Sequence, residues 1–131
     1  MVRRTREGFP GHYRIVRGSD YRSAYETGLR IQSERFVLFA RLNALEHNRL
    51  GITVSRKIGG AVVRNRVKRL FREVFRRSPA DNPPSFDIVI NAKRGCAVAR
   101  YSDLACEFAV AVEKACRLQR TVDSGPKPES G

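Results

Sequence analysis

At 131 residues the chain has room for one compact core and is too short for two ordinary domains. With 41% hydrophobic and 30% charged residues it is too apolar for wholesale disorder and too charged for a membrane protein, and no apolar run reaches the roughly 18 residues of a spanning helix. A net charge of +13 exceeds what solubility requires and points to a polyanionic partner, nucleic acid ahead of an anionic membrane surface.

Residues 1–11 carry Arg3, Arg4 and Arg6 with Gly8, Pro10 and Gly11, the composition of a flexible basic arm. No apolar run follows them, so they do not read as a secretory signal. Ser19 or Asp20 can cap a short helix in which Tyr21 and Tyr25 fall on one face, with Gly28 at its C-terminal cap. Leu29 to Ser33 carries a weak strand signal. The runs FVLFARL from Phe36 and LGITVS from Leu50 are β-branched or aromatic-rich and are expected to be neighbouring antiparallel strands.

Between Ala61 and Arg77, Val63, Val67, Leu70, Phe71 and Val74 repeat at the spacing of one helical face. Three prolines in residues 78–85 end that helix, and Asp87 to Ala92 reads as a strand. Leu104, Ala105, Phe108, Val112 and Ala115 mark a closing amphipathic helix with Ser102 as its cap. Residues 12–119 are thus expected to form the folded unit and 120–131 a disordered tail. The element order predicts an α+β or split α/β sandwich, one sheet with helices packed on it. Cys96, Cys106 and Cys116 lack zinc-site spacing and read as buried small apolar residues in a reducing cytoplasm.

The central helix carries the functional signal. With Val63 at the middle of the buried face, Asn65, Lys68, Arg69, Arg72 and Arg76 cluster opposite it, and Arg64 and Arg66 lie on the flanks. Adding Arg56, Lys57 and Arg77, residues 56–77 hold nine basic side chains against one acid, Glu73. A solvated helix face ordinarily mixes signs for pairing, and like charges this concentrated repel unless an anion neutralises them. Gly59 and Gly60 stand at a strand-to-helix turn where backbone N–H groups could meet a phosphate or a metal-bound water, although tight turns use glycine without any ligand. The excess of Arg over Lys suits phosphate forks and equally suits a coding bias.

The run RLGITVSRKIGGAVVRNRVKRLFREVFR, residues 49–76, closely resembles the signature of the protein subunit of bacterial ribonuclease P, whose hallmark is the motif here read as Arg64-Asn65-Arg66. The resemblance extends to the Ser-Asp-Tyr-x-x-x-Tyr-x-x-Gly segment from Ser19 to Gly28, to residues 35–39 and to residues 87–90. It covers residues 12 to about 118. It implies an αβββαβα sandwich with a four-stranded mixed sheet and a left-handed βαβ crossover, like the second domain of ribosomal protein S5, against the usual hand.

The same resemblance implies a 1:1 ribonucleoprotein that removes the 5′ leader of precursor tRNA. In it, Arg56, Lys57, Arg64, Asn65, Arg66, Lys68, Arg69, Arg72 and Arg76 would meet the catalytic RNA. Tyr21, Tyr25, Val37 and Phe39 would line a cleft for the single-stranded leader. That division is physically sensible, since single strands are gripped by stacking plus backbone charge and helical RNA by phosphate and 2′-hydroxyl contacts. From the residues alone the aromatics read as core, but tyrosine at 21 and 25 suits a wet groove because the hydroxyl needs a partner. Gly60 departs from the family pattern, in which Asn is frequent.

The chain shows no paired carboxylates, metal-ligand cluster or activated nucleophile, and His12 and His47 read as isolated and exposed. The protein is therefore expected to be the non-catalytic subunit of an endoribonuclease, with Mg²⁺ used by the RNA and no dedicated protein site. A ribosomal protein could share charge and fold but not the long run around Arg64. A helix-turn-helix DNA reader would need a positioning helix where a strand is predicted.

Overall fold

The computed structural model describes residues 13–45, 47–78 and 85–124. The expected basic arm at 1–11 lies outside the described residues. The elements are α1 (Gly18–Thr27), β1 (Leu29–Gln32), β2 (Phe36–Leu42), β3 (Arg49–Thr53), α2 (Ala61–Arg77), β4 (Phe86–Ala92), a 3₁₀ turn (Arg94–Val98) and α3 (Tyr101–Ser124). The weakly signalled strand β1 is present, and the order is the expected αβββαβα in an α+β fold.

One expectation fails on pairing. The sheet order is β1-β2-β4-β3, so β2 and β3 are not neighbours. β4 inserts between them, antiparallel to β2 with Leu38 opposite Ile90, and parallel to β3 with Leu50 opposite Ile88. Its sequence explains the placement. Phe86 to Ile90 are buried in succession, so this strand has no solvent face and takes a central position. The β3-α2-β4 unit is then a crossover between adjacent parallel strands, and α2 closes over the sheet.

On one face of the sheet Phe36, Leu38, Ile88 and Ile90 meet Val67, Phe71, Val74 and Phe75 of α2 and Leu104, Phe108, Ala111 and Ala115 of α3. Phe71 is fully buried and edge-on to Phe36 at 5.4 Å, which contributes about 1.5–3 kcal/mol through burial of the ring. Val63 and Leu70, expected on this face, pack partly buried against the same cluster. The opposite face carries α1, whose fully buried Ala24 sits with Ile15 and Val89.

Helix ends differ from the sequence reading in detail. α1 begins at Gly18 after Arg17, without a side-chain cap from Ser19 or Asp20. Gly28 does end α1, and an added Cβ would stand 2.6 Å from the Ala24 carbonyl oxygen and 3.0 Å from that of Ala40, so the helix can abut β2 only with glycine here. α3 begins one residue before Ser102; the Asp103 carboxylate accepts from the Arg100 N–H at 3.0 Å and does the capping. It also continues through residues 120–124, which composition had assigned to the tail; 125–131 lie outside the described residues. Of the cysteines only Cys96 is buried, whereas Cys106 is exposed on α3 and Cys116, half-buried, packs against the core cluster.

α3 is tied to the β1–β2 turn by Glu107. Its carboxylate accepts from the Ser33 hydroxyl at 2.6 Å and the Arg35 N–H at 3.0 Å, and pairs with the Arg35 guanidinium. Burial works against the charged form of Glu107, but these bonds outweigh it and hold the carboxyl below its ordinary range. Among the described residues no helix is long and apolar enough to cross a membrane.

Candidate nucleic-acid interface

Strand alternation sets the first half of the site. Leu38 and Ala40 point into the core, so Val37, Phe39 and Arg41 emerge on the α1 face, where α1 covers only part of the sheet. Tyr21 and Tyr25, one turn apart, reach the strands from α1. Tyr21 is half-buried, packs like Phe39 against the Ile15, Ala24 and Val89 cluster, and lies over Gly51, where a Cβ would come within 2.7 Å of its ring. Burial pushes its phenol above the ordinary pKa, with its hydrogen bond to the Ile52 backbone acting the other way. Tyr25 is more open, at 38% exposure, and meets Phe39 edge-on at 4.9 Å. Its hydroxyl donates to Asn91 Oδ1 at 2.9 Å and lies 3.3 Å from Thr53 Oγ1. The four residues expected to line a cleft are thus brought together on one face. Tyr21 also serves as packing, as the core reading of the aromatics expected.

Beyond Arg41 the floor ends in a polar anchor. Asp87 is fully buried and takes two bonds from Arg49, at 2.8 and 2.7 Å, and one from Asn43 Nδ2 at 3.0 Å. Arg49 also reaches Asp20 at 3.4 Å, fastening the start of α1 to β3 and β4. Here Arg14, Arg17 and Arg41 share a concavity with Arg49 and the two aspartates, a surface of positive balance. Neither the ion pair nor these arginines was singled out from the sequence. A lone acid opening an apolar strand was the available signal for Asp87.

The second half of the site is α2. Asn65 and Arg69 are exposed, as are Arg56 and Lys57 in the preceding turn. Lys68 and Arg72 instead line a concavity with Arg14, Tyr21 and Ile52, joining the basic helix to the aromatic cleft. Burial, then the nearby charge of Arg14, pushes the Arg72 guanidinium below its ordinary pKa. A bound anion there would offset both effects.

Two expected RNA contacts, Arg66 and Arg76, have intramolecular partners. Arg66 donates to the carbonyl oxygens of Ala97 at 3.3 Å and Ala99 at 2.7 Å, clamping α2 to the segment after β4. Arg76 pairs with Glu73 at 2.6 Å, and Arg77 shares that carboxylate. Arg64 is half-buried with its Nε enclosed and without a hydrogen-bond partner among the described residues. Gly60 is the N-cap of α2, has no side-chain cap, and has nothing within 4 Å of an added Cβ, so an asparagine would fit. His47, expected to be isolated, is half-buried with its ring edge-on to Tyr13 at 5.1 Å, while His12 lies outside the described residues. Among the described residues no three His, Cys, Asp or Glu side chains are grouped to hold a metal ion.

The arrangement is a basic helix beside a cleft that offers aromatic rings, amide and hydroxyl groups, and bordering arginines. Comparison with known proteins identifies the family and the fold. The sequence model of the family described as Ribonuclease P matches residues 9–116. The ribonuclease P protein component of Syntrophus aciditrophicus is 41% identical over 101 residues, covering 77% of this chain and 85% of the relative. That of Thermotoga maritima is 42% identical over 84 residues, covering 64% and 72%. Among solved structures, the Staphylococcus aureus RNase P protein superimposes with a TM-score of 0.69 at 30% identity, covering 79% of this chain and 94% of that one. The Thermotoga maritima RNase P protein gives 0.64 at 31% identity, covering 73% and 91%.

Proposed function

This chain belongs to the ribonuclease P protein family, and from that premise we propose that it docks a catalytic RNA through α2 while holding the 5′ leader of precursor tRNA in the aromatic cleft. The observation that carries the reading is the continuity of the two halves. Lys68 and Arg72 of the basic helix and Tyr21 of the cleft line one concavity, so a strand leaving a helical RNA could pass from phosphate contacts to stacking contacts.

Each group has a distinct physical task. Arg56, Lys57, Lys68 and Arg69 present unneutralised charge to helical RNA, and each phosphate contact releases counterions. Arg66 acts through the fold, holding α2 against the segment that follows β4. Tyr25, Val37 and Phe39 offer ring faces and an apolar wall to unstacked bases, and Tyr21 closes the cleft over Gly51. In this reading the chain is non-catalytic, and Mg²⁺ held by the RNA subunit supplies the hydrolytic chemistry. The protein raises substrate affinity in a 1:1 complex in the cytoplasm.

Reconstitution tests this directly. The chain together with its cognate RNA is expected to mature the 5′ end of precursor tRNA at low Mg²⁺, where the RNA alone is slow and the protein alone cleaves nothing. Unchanged cleavage when the protein is omitted would refute the assignment.

A further inference from the structure

The cleft floor holds a polar group that the stacking account does not use. Asn91 stands opposite Val37 on one side and Thr53 on the other, so its side chain occupies the row of the sheet next to Tyr25. The Tyr25 hydroxyl donates to its Oδ1 at 2.9 Å and can accept from Thr53, 3.3 Å away. The amide oxygen thus already accepts one bond, which fixes which end of the amide is the oxygen. Nδ2 has no hydrogen-bond partner among the described residues, and Asn91 is only half-buried.

We propose that Asn91 is a specificity-determining residue of the leader cleft, presenting an N–H donor, oriented by the Tyr25 hydroxyl, to O6 of guanine or O4 of uracil in the leader. This rests on the leader-cleft reading above. Stacking on Tyr25 or Phe39 accepts any base, since every base has a π face. Selectivity must come from edges, and the edges differ in sign: guanine O6 and uracil O4 accept, whereas adenine N6 and cytosine N4 donate. A donor fixed at that place favours the first pair, because an amino group facing it leaves both partners unsatisfied. Asn91 is well placed for this, lying beside Val37 and bonded to the tyrosine that would carry the stacked base. Tyr25 is then a positioning residue as well as a platform: without its hydroxyl the amide can rotate and offer either sign.

The test uses holoenzyme reconstituted from the full chain and its cognate RNA, with precursor tRNAs carrying each of the four bases at successive leader positions and mature tRNA as reference. At one leader position the wild-type holoenzyme is expected to bind G and U substrates about threefold to tenfold more tightly than A and C, the ratio of one net hydrogen bond. Asn91→Asp keeps an oxygen for Tyr25 and turns the free group into an acceptor, so the ranking at that position should invert. Tyr25→Phe should flatten it. Each is read as a ratio between substrates on the same protein, so uniform weakening does not obscure it. Absence of a keto preference, or a ranking that Asn91→Asp leaves unaltered while leader-bearing substrate still binds better than mature tRNA, overturns this assignment alone. Equal wild-type affinity for precursor and mature tRNA overturns it together with the cleft reading.

Discussion

Tyr21 and Gly51 are in contact because position 51 lacks a side chain: a Cβ there would stand 2.7 Å from both the ring Cζ and the hydroxyl oxygen. The ring is held between α1 and the sheet, and its tip is set by β3. Gly51→Ala should therefore displace Tyr21 toward the cleft, with an overpacking cost of about 1–3 kcal/mol in denaturant unfolding. It should also reduce the holoenzyme's preference for leader-bearing over mature tRNA. Unaltered stability together with unaltered preference would show that Tyr21 is not positioned by this contact.

The two arginines Arg66 and Arg69 separate folding from RNA binding. Arg66→Ala strands the carbonyl of Ala99, a residue only 2% exposed, and should cost roughly 1–3 kcal/mol of stability. Arg69 is exposed, and its loss should leave stability within about 0.5 kcal/mol. Its effect should appear in the salt dependence of RNA binding, as a shallower slope from the loss of one phosphate contact. Urea titrations and binding at several salt concentrations distinguish the two. Equal destabilisation by both substitutions would contradict the division.

Asp87 is the buried anchor of the sheet's far end. Asp87→Ala leaves Arg49, itself only 22% exposed at the side chain, without its main partner, and should destabilise the fold by about 3 kcal/mol or more. Asp20 softens the loss, because it already lies 3.4 Å from the same guanidinium. Chemical denaturation of Asp87→Ala and Asp20→Ala should show the first to be much the larger.

Glu107 gives the fold an acid limb. Its carboxyl titrates below the unfolded value in the folded protein, so its contribution is fully present above the unfolded pKa and disappears as pH falls through the folded one. Melting temperature should fall below about pH 4.5, and Glu107→Gln should be less stable at neutral pH with a shallower acid decline. An identical acid decline in that variant would assign the limb to other carboxylates.

Legibility in the sequence tracked how local the determining physics is. The face of α2 could be read from Val67, Phe71 and Val74 because helical periodicity lies within one segment. The four cleft residues could be placed on one surface once the family resemblance supplied the docking of α1. Strand order could not be read, because β4 follows β3 in sequence only after a whole helix and yet separates β3 from β2. Pairings across long sequence distances were equally hidden: Arg49 with Asp87, Arg66 with the carbonyls after β4, and Tyr25 with Asn91. Arg66 and Arg76 looked like free cations because the periodic pattern shows which side of a helix a residue occupies, not what it meets there.

The central claim is that this chain gives a catalytic RNA its grip on the 5′ leader. It is tested most directly by comparing Kd for precursor and mature tRNA with the RNA alone and with the reconstituted holoenzyme, at fixed Mg²⁺ and salt. The account predicts that adding the protein tightens precursor binding well beyond mature tRNA, and that Tyr25→Ala removes roughly 1–3 kcal/mol of that difference. Equal tightening of both RNAs, unaffected by Tyr25→Ala, would contradict it.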